Sequence, residues 1–284
     1  MSEAMSWLVT VCLWTAGVFA VVRIVDALVA RHIGPRARMP LYALVLVRLA
    51  LPPDFSSPIG LIGDRTPAEA MPEAAPAIVI PWLSRSRPAE ATATATPVAV
   101  SPAEFAPYAL YVGGVGLLLG LALVRRRSYA RLVQESTPAP AALAELGAPA
   151  RVVVHPDRGP VATGLLDRII MLPAPLVDRL SPPQLACVLA HERAHHEGHD
   201  TWLALALRVI TTLAWPVIPV WLAARRVRTL IEIAADERAV GQHRRVDYGR
   251  VLIDLAASAP HRPQRALGAY RDLRARIAAI AHPT

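Results

Sequence analysis

Between Trp7 and Ala30 the chain runs for 24 residues with only two charges, Arg23 and Asp26. As a helix this stretch rises roughly 36 Å, enough to cross a hydrocarbon core of about 30 Å with some tilt. A backbone in lipid must satisfy its own hydrogen bonds, so such a segment has little choice but to be helical. It lacks the pattern of a cleaved leader, because Glu3 and no arginine precede it and the apolar stretch is too long. Arg23 and Asp26 lie three residues apart on one helical face and are expected to pair or to reach toward the interface. A second apolar run, Leu41 to Leu51, opens after Pro40 and closes at Pro52 and Pro53. Its 11 residues rise only about 16 Å, so a crossing there needs flanking residues, with Arg36, Arg38 and Arg48 reaching out of the lipid. A third, Phe105 to Val124, is 20 residues or about 30 Å and ends in Arg125, Arg126 and Arg127. Gly113, Gly114, Gly116 and Gly120 give it small faces suited to close helix packing.

The basic residues set the orientation. All 30 are arginine, against 22 acids, for a net charge of +8. Arg31, Arg36 and Arg38 separate the first two runs, and Arg125 to Arg127 follow the third. Positively charged flanks stay in the cytoplasm, which places the N-terminus and residues 54–104 outside. That outer segment is rich in proline, alanine and threonine and reads as a flexible connector. Its apolar island, Ile78 to Leu83, is expected at the membrane surface. The expected organisation is therefore residues 1–53 with two transmembrane helices, an extracytoplasmic loop over 54–104, a third span over 105–127 and a cytoplasmic domain over 128–284. This describes a multi-pass cell-membrane protein whose first partner is the lipid bilayer. A hydrophobic content of 54% and mean hydropathy of +0.37 agree, and they exclude a disordered chain. Many arginines are accounted for as membrane flanks, and no basic–aromatic or recognition-helix pattern occurs, so nucleic acid is not an expected partner. Cys12 and Cys187 cannot make a disulfide framework and read as buried thiols.

The cytoplasmic domain contains His191-Glu192-Arg193-Ala194-His195. Ser181 followed by Pro182 and Pro183 signals a helix start, and Leu185 to Ala190 carry an apolar helix into the motif. On a helix, positions i and i+4 share a face. Two imidazoles so placed suit a zinc ion, with the Glu192 carboxylate beside the first as a general base toward water. A solvated polar helix end is the plain alternative, given His196, Glu197 and His199. A third ligand is needed. Thr201 occupies the position where a metzincin would have histidine, and His199 cannot wrap the same helix around a metal. Glu232 is the better candidate, with Asp236 on the same face to receive a hydrogen bond from a ligand histidine. Between the ligand segments lies Trp202 to Ala224, apolar for 23 residues. One full crossing would put His191 and Glu232 on opposite sides of the membrane, and two need about 40 residues. A shallow re-entrant hairpin over 202–224, broken at Trp215-Pro216-Val217-Ile218-Pro219, is expected instead.

These residues resemble the membrane-embedded zinc peptidases of the BlaR/MecR type, the protease part of bacterial beta-lactam sensor-transducers. The resemblance runs through Leu51-Pro52-Pro53, Gly164 to Pro173, Leu180 to Leu185, the His191–His195 motif with Asp200, Trp215 to Trp221, and Glu232 to Glu237. It implies a mainly α membrane protein, transmembrane helices plus a small α+β gluzincin-like zinc peptidase domain. It also implies His191, His195 and Glu232 as zinc ligands, Glu192 as general base and acid, and Asp236 and Asp200 as supports behind the ligands. Sensor relatives continue into a further span and a penicillin-binding domain. Read to Thr284, this chain has neither, so a minimal form without that mode of sensing is expected.

The strand-like stretches Arg151 to His155 and Arg168 to Leu172 are expected to form a small sheet with one edge open to an extended substrate. For the oxyanion, Tyr248 is the first candidate, with His243 or an arginine second. His155 and Cys187 read as packing residues. The leading function is a zinc-dependent endopeptidase acting on a cytoplasmic or membrane-proximal protein or peptide. A transcriptional repressor is suggested as target by analogy only. The alternative is a non-catalytic zinc-containing membrane transducer or scaffold, which has no need of Glu192.

Overall fold

The computed structural model describes residues 3–51, 102–241, 245–258 and 266–281. The loop 52–101 with its Ile78 to Leu83 island, and His243, lie outside the described residues. The chain divides into two compact units, Met1–Pro53 with Leu110–Thr284, and Asp54–Ala109. The described part of the second is the first two turns of one helix; all other described residues belong to the first.

Among the described residues two helices are long and apolar enough to cross a membrane, α1 (Glu3–Val29) and α4 (Pro102–Gln134). Both present large apolar side chains outward, such as Trp7, Leu13 and Leu28 on α1 and Leu117 and Leu123 on α4. The second apolar run is shorter in the structure than a span requires. After α2 (Pro35–Arg38), a 3-10 turn over Met39–Tyr42 leads into α3 (Ala43–Ala50), eight residues or about 12 Å long. It packs back on α1, burying Val45 against Val22.

Asp26 does more than pair with Arg23. Fully buried, its carboxylate accepts hydrogen bonds from Arg23 Nη1 (2.7 Å), Arg38 Nε (2.7 Å), Arg226 Nε (3.0 Å) and the Tyr42 hydroxyl (2.8 Å). One acid thereby ties α1 to α2, to the following turn and to α9 (Ile218–Val240). A buried carboxylate is tolerable only with this many donors. Local spacing reveals one of the four.

The apolar stretch after the HExxH motif is a helical hairpin. α8 (Asp200–Leu213) rises roughly 21 Å, residues 214–217 turn, and α9 returns, with Glu232 about four turns along it. The turn packs Ala214, Val217 and Val220 against Val11 of α1. Cys12, half-buried rather than enclosed, points its thiol at the Pro216 carbonyl, 3.9 Å away. Cys12 sits about 21 Å along α1 from Asp26, so the turn of the hairpin meets α1 about that far from the Asp26 cluster. Proline breaks the run near its middle, and α8 alone rises about half the length of α1. The carbonyls freed at the turn find side-chain donors. Leu213 O accepts from the Tyr111 hydroxyl (2.8 Å), and Trp215 O from Trp221 Nε1 (3.0 Å).

A four-stranded mixed sheet completes the unit, in the order β1 (Thr137–Pro138), β2 (Arg151–His155), β4 (Ile169–Pro173), β3 (Val161–Thr163). β2 and β4 run parallel, while β3 pairs antiparallel with β4 and has no strand on its other edge among the described residues. The side-chain alternation of β4 explains where the sheet sits. Ile170 and Leu172 face the core under α7 (Pro182–Glu197), with Leu185, Val188 and Leu189, whereas Ile169 and Met171 face Leu132 and Val133 at the end of α4. Two short helices, α5 (Ala141–Gly147) and α6 (Ala174–Arg179), add Leu143 and Leu176 to the core under α7. The molecule is thus mainly helical with a small mixed sheet, in agreement with the fold class read from the sequence.

Candidate metal centre

α7 begins as its sequence demands. The Ser181 backbone N–H donates to Gln184 Oε1 (2.9 Å) in a capping box, and Pro182 and Pro183 occupy positions where a missing N–H costs nothing. The helix ends at Gly198, and His199 adopts a left-handed conformation (φ 57°) that turns the chain into α8. This turn delivers Asp200 to the back of His195. A Cβ at Gly198 would overlap the Arg36 guanidinium and displace it from its place beside Asp200.

Among the described residues, His191, His195 and Glu232 form the group able to hold a metal. The two Nε2 atoms are 3.2 Å apart, and Glu232 oxygens lie 3.6 Å from that of His191 and 3.9 Å from that of His195. Tetrahedral ligands at zinc distances are about 3.3–3.5 Å from one another, so this triangle fits a zinc ion with shifts of a few tenths of an ångström. His199 is not part of the group. Glu192 is buried yet lines the same cavity, of about 760 Å³, as the three ligands.

Each histidine is backed by a carboxylate, and each carboxylate by an arginine. His191 Nδ1 lies 3.0 Å from Asp236 Oδ1, and His195 Nδ1 lies 3.0 Å from Asp200 Oδ2. With Nε2 turned to the metal, Nδ1–H donates to the acid and fixes the ring. Arg276 Nε and Nη2 both donate to Asp236 (2.7 Å each), and Arg36 Nη1 donates to Asp200 (2.8 Å). The Tyr248 hydroxyl, on α10 (Arg245–Ser258), donates to Asp236 Oδ1 (2.6 Å) and lies 2.9 Å from His191 Nδ1. It is therefore behind the His191 ring rather than beside Nε2.

The ionisation of the site follows from these contacts. Burial would raise Asp236, but the Arg276 and His191 hydrogen bonds hold it well below the usual carboxylate range. Burial also opposes the charge of Glu232, and His191 and Arg276 overcome it, so Glu232 too is lowered. Burial would lower His191, yet Asp236, Glu232 and the charge of Glu192 carry it up to about 9. A metal at Nε2 must displace that proton. Tyr248, pushed up by burial and by Asp236, keeps its proton. His196 is lowered by burial and donates Nε2–H to Ile169 O (3.1 Å), joining α7 to the sheet. His155 accepts from the Asp157 and Arg158 amides, and Cys187 is buried in the core.

Two residues of the centre carry no local signal in the sequence. Arg276, on α11 (Ala266–Ala281), grips Asp236 and places Nη1 3.3 Å from Glu232 Oε2. Arg36 reads as a membrane-flanking charge, yet it reaches across the fold to Asp200. Arg36→Ala is expected to weaken zinc binding by about 10–100-fold, read by competition with a chelator of known affinity. Unchanged affinity would mean that Asp200 holds His195 unaided.

A search of curated proteins returns no match to this chain. Residues 6–280 match the family model described as BlaR1 peptidase M56. Placed beside a HExxH helix whose third metal-binding group is returned to it by a helical hairpin, that match shows that the chain belongs to the BlaR1-type M56 family of metallopeptidases.

Proposed function

We propose that this protein is a zinc-dependent endopeptidase whose active site lies at the cytoplasmic face of the cell membrane, where it cleaves a cytoplasmic or membrane-proximal protein. The observation that carries this reading is Glu192, a carboxylate set among three metal-binding groups in an open cavity. A bound zinc ion would supply Lewis-acid polarisation of a peptide carbonyl and make water more acidic. His191, His195 and Glu232 would hold it. Glu192 takes the proton from the attacking water and delivers it to the leaving amine. Val161 and Ala162 line the cavity from β3, whose outer edge can pair with an extended substrate and hold its scissile bond over Glu192. Tyr248 serves as a positioning residue, because its only proton is given to Asp236. Arg276, already charged and facing Glu232, is the better source of positive charge for the developing oxyanion. A regulatory protein such as a transcriptional repressor is the kind of target the family resemblance suggests.

Arg36 supports the cytoplasmic placement. It lies in the arginine-rich connection after α1 and touches Asp200, so the centre sits at the end of α1 that positive charge holds inside. In a variant lacking Cys12 and Cys187, a single cysteine at the exposed Glu197 position is expected to react with an impermeant maleimide only from the cytoplasmic side. Labelling of intact cells from outside would overturn the placement. Peptidase activity itself is tested by sequencing new protein termini after bacterial membranes and cytosol meet the purified chain with and without zinc. Identical sets of termini would overturn it.

A further inference from the structure

The cavity is not evenly charged. α9 turns Glu232 toward it, and on the same face, one and two turns earlier, it also turns Arg228 and Arg225. Of the acids that line the space, Glu232 and Asp200 are engaged with the ligand set and its arginines, and Glu192 lies beside His191. Arg225 and Arg228 have no acidic partner among the described residues. Arg23, Arg36, Arg38, Arg226 and Arg276, by contrast, each meet a carboxylate within 3.0 Å. Arg226, between the two, turns away to Asp26. Both side chains are exposed at the edge of the cavity, and the like charge of Arg208, on α8, adds to the positive charge there.

Two arginines that exist only to face anionic headgroups belong on the outer, lipid-side surface. These two instead border the space that holds Glu192 and the metal-binding group. Their position along α9 says where an anion would be met. Arg228 is about 6 Å and Arg225 about 10 Å from Glu232 along the helix axis. An extended peptide advances about 3.3 Å per residue, so those distances correspond to side chains roughly two and three residues from the scissile bond.

Resting on the peptidase reading above, we propose that the cleft selects substrates carrying an aspartate or glutamate two or three residues from the cleaved bond, with Arg228 and Arg225 binding that carboxylate. The wild-type chain, zinc-loaded in neutral-lipid nanodiscs, is given a mixed peptide library, and cleavage is read by mass spectrometry. Within the wild type, Asp or Glu at that position is expected to outperform Asn or Gln by about tenfold in kcat/KM. Arg228→Gln flattens this ratio, and Arg228→Glu inverts it toward Lys and Arg, with zinc content checked in each variant. Cleavage without an acidic preference, or a preference that survives Arg228→Glu, overturns the subsite while leaving the peptidase intact. No cleavage of any peptide overturns both. An Arg228 effect that arises only when anionic lipid is added would assign the arginines to headgroups and also sink the proposal.

Discussion

Glu192→Gln is expected to lower peptide cleavage by about 10²–10⁴-fold while the purified protein keeps its zinc. The substitution preserves size and removes only the ability to accept a proton. Glu192 lies outside the His191, His195 and Glu232 triangle, so metal content has no reason to fall. The result separates a peptidase from a membrane transducer that keeps a metal for structure. In a transducer, Glu192→Gln would leave the cellular phenotype intact and His191→Ala would abolish it. Should cleavage also survive Glu192→Gln, the general-base assignment is lost.

Asp236→Ala should be the more destructive change, because three side chains depend on one carboxylate. It accepts two hydrogen bonds from Arg276 and one from Tyr248, and it orients His191. Truncation leaves a buried guanidinium and a buried hydroxyl without their acceptor. Breaking a buried charged pair typically costs about 3–5 kcal/mol, a large part of the roughly 5–15 kcal/mol that holds an ordinary domain together. Losing the group behind a ligand histidine should weaken zinc binding by a further 10–100-fold or so. The expected observation is a thermal midpoint well below wild type in the same detergent, with zinc lost to mild chelators. Asp236→Asn keeps the shape and should fall between the two. The pH dependence has a definite sign. The folded carboxyl is held below its unfolded value of about 3.9, so its contribution is complete above that value and fades as pH falls below it. An Asp236→Ala protein with wild-type midpoint and affinity would show that Arg276 and Tyr248 find other partners.

What can be read in advance depends on how local each signal is. The HExxH pair lies within one helical turn, so residues 191 and 195 announce themselves. Glu232 is reachable through a constraint rather than a motif, since one metal cannot be held from both sides of a membrane and the intervening run is too short for two crossings. α1 and α4 are legible from length and apolarity. Sequence spacing does not show a contact such as Arg36 with Asp200, or Arg276 with Asp236, because nothing near either arginine marks it as different from the other 28. Tyr248 can be picked out as a residue of the site, but the direction of its hydroxyl depends on how α10 packs. The level of the hairpin along α1 is hidden for a related reason: periodicity gives the length of a helix, while its position is set by Val11 and Cys12 meeting the turn.

The hairpin also fixes an order of events during biosynthesis. The ribosome releases His191 and His195 before the hairpin, and Glu232 only after it. The third ligand reaches the other two when α8 and α9 are folded against each other and seated along α1. The metal-binding group is therefore completed last, by the same turn of chain that brings α9 back to α7.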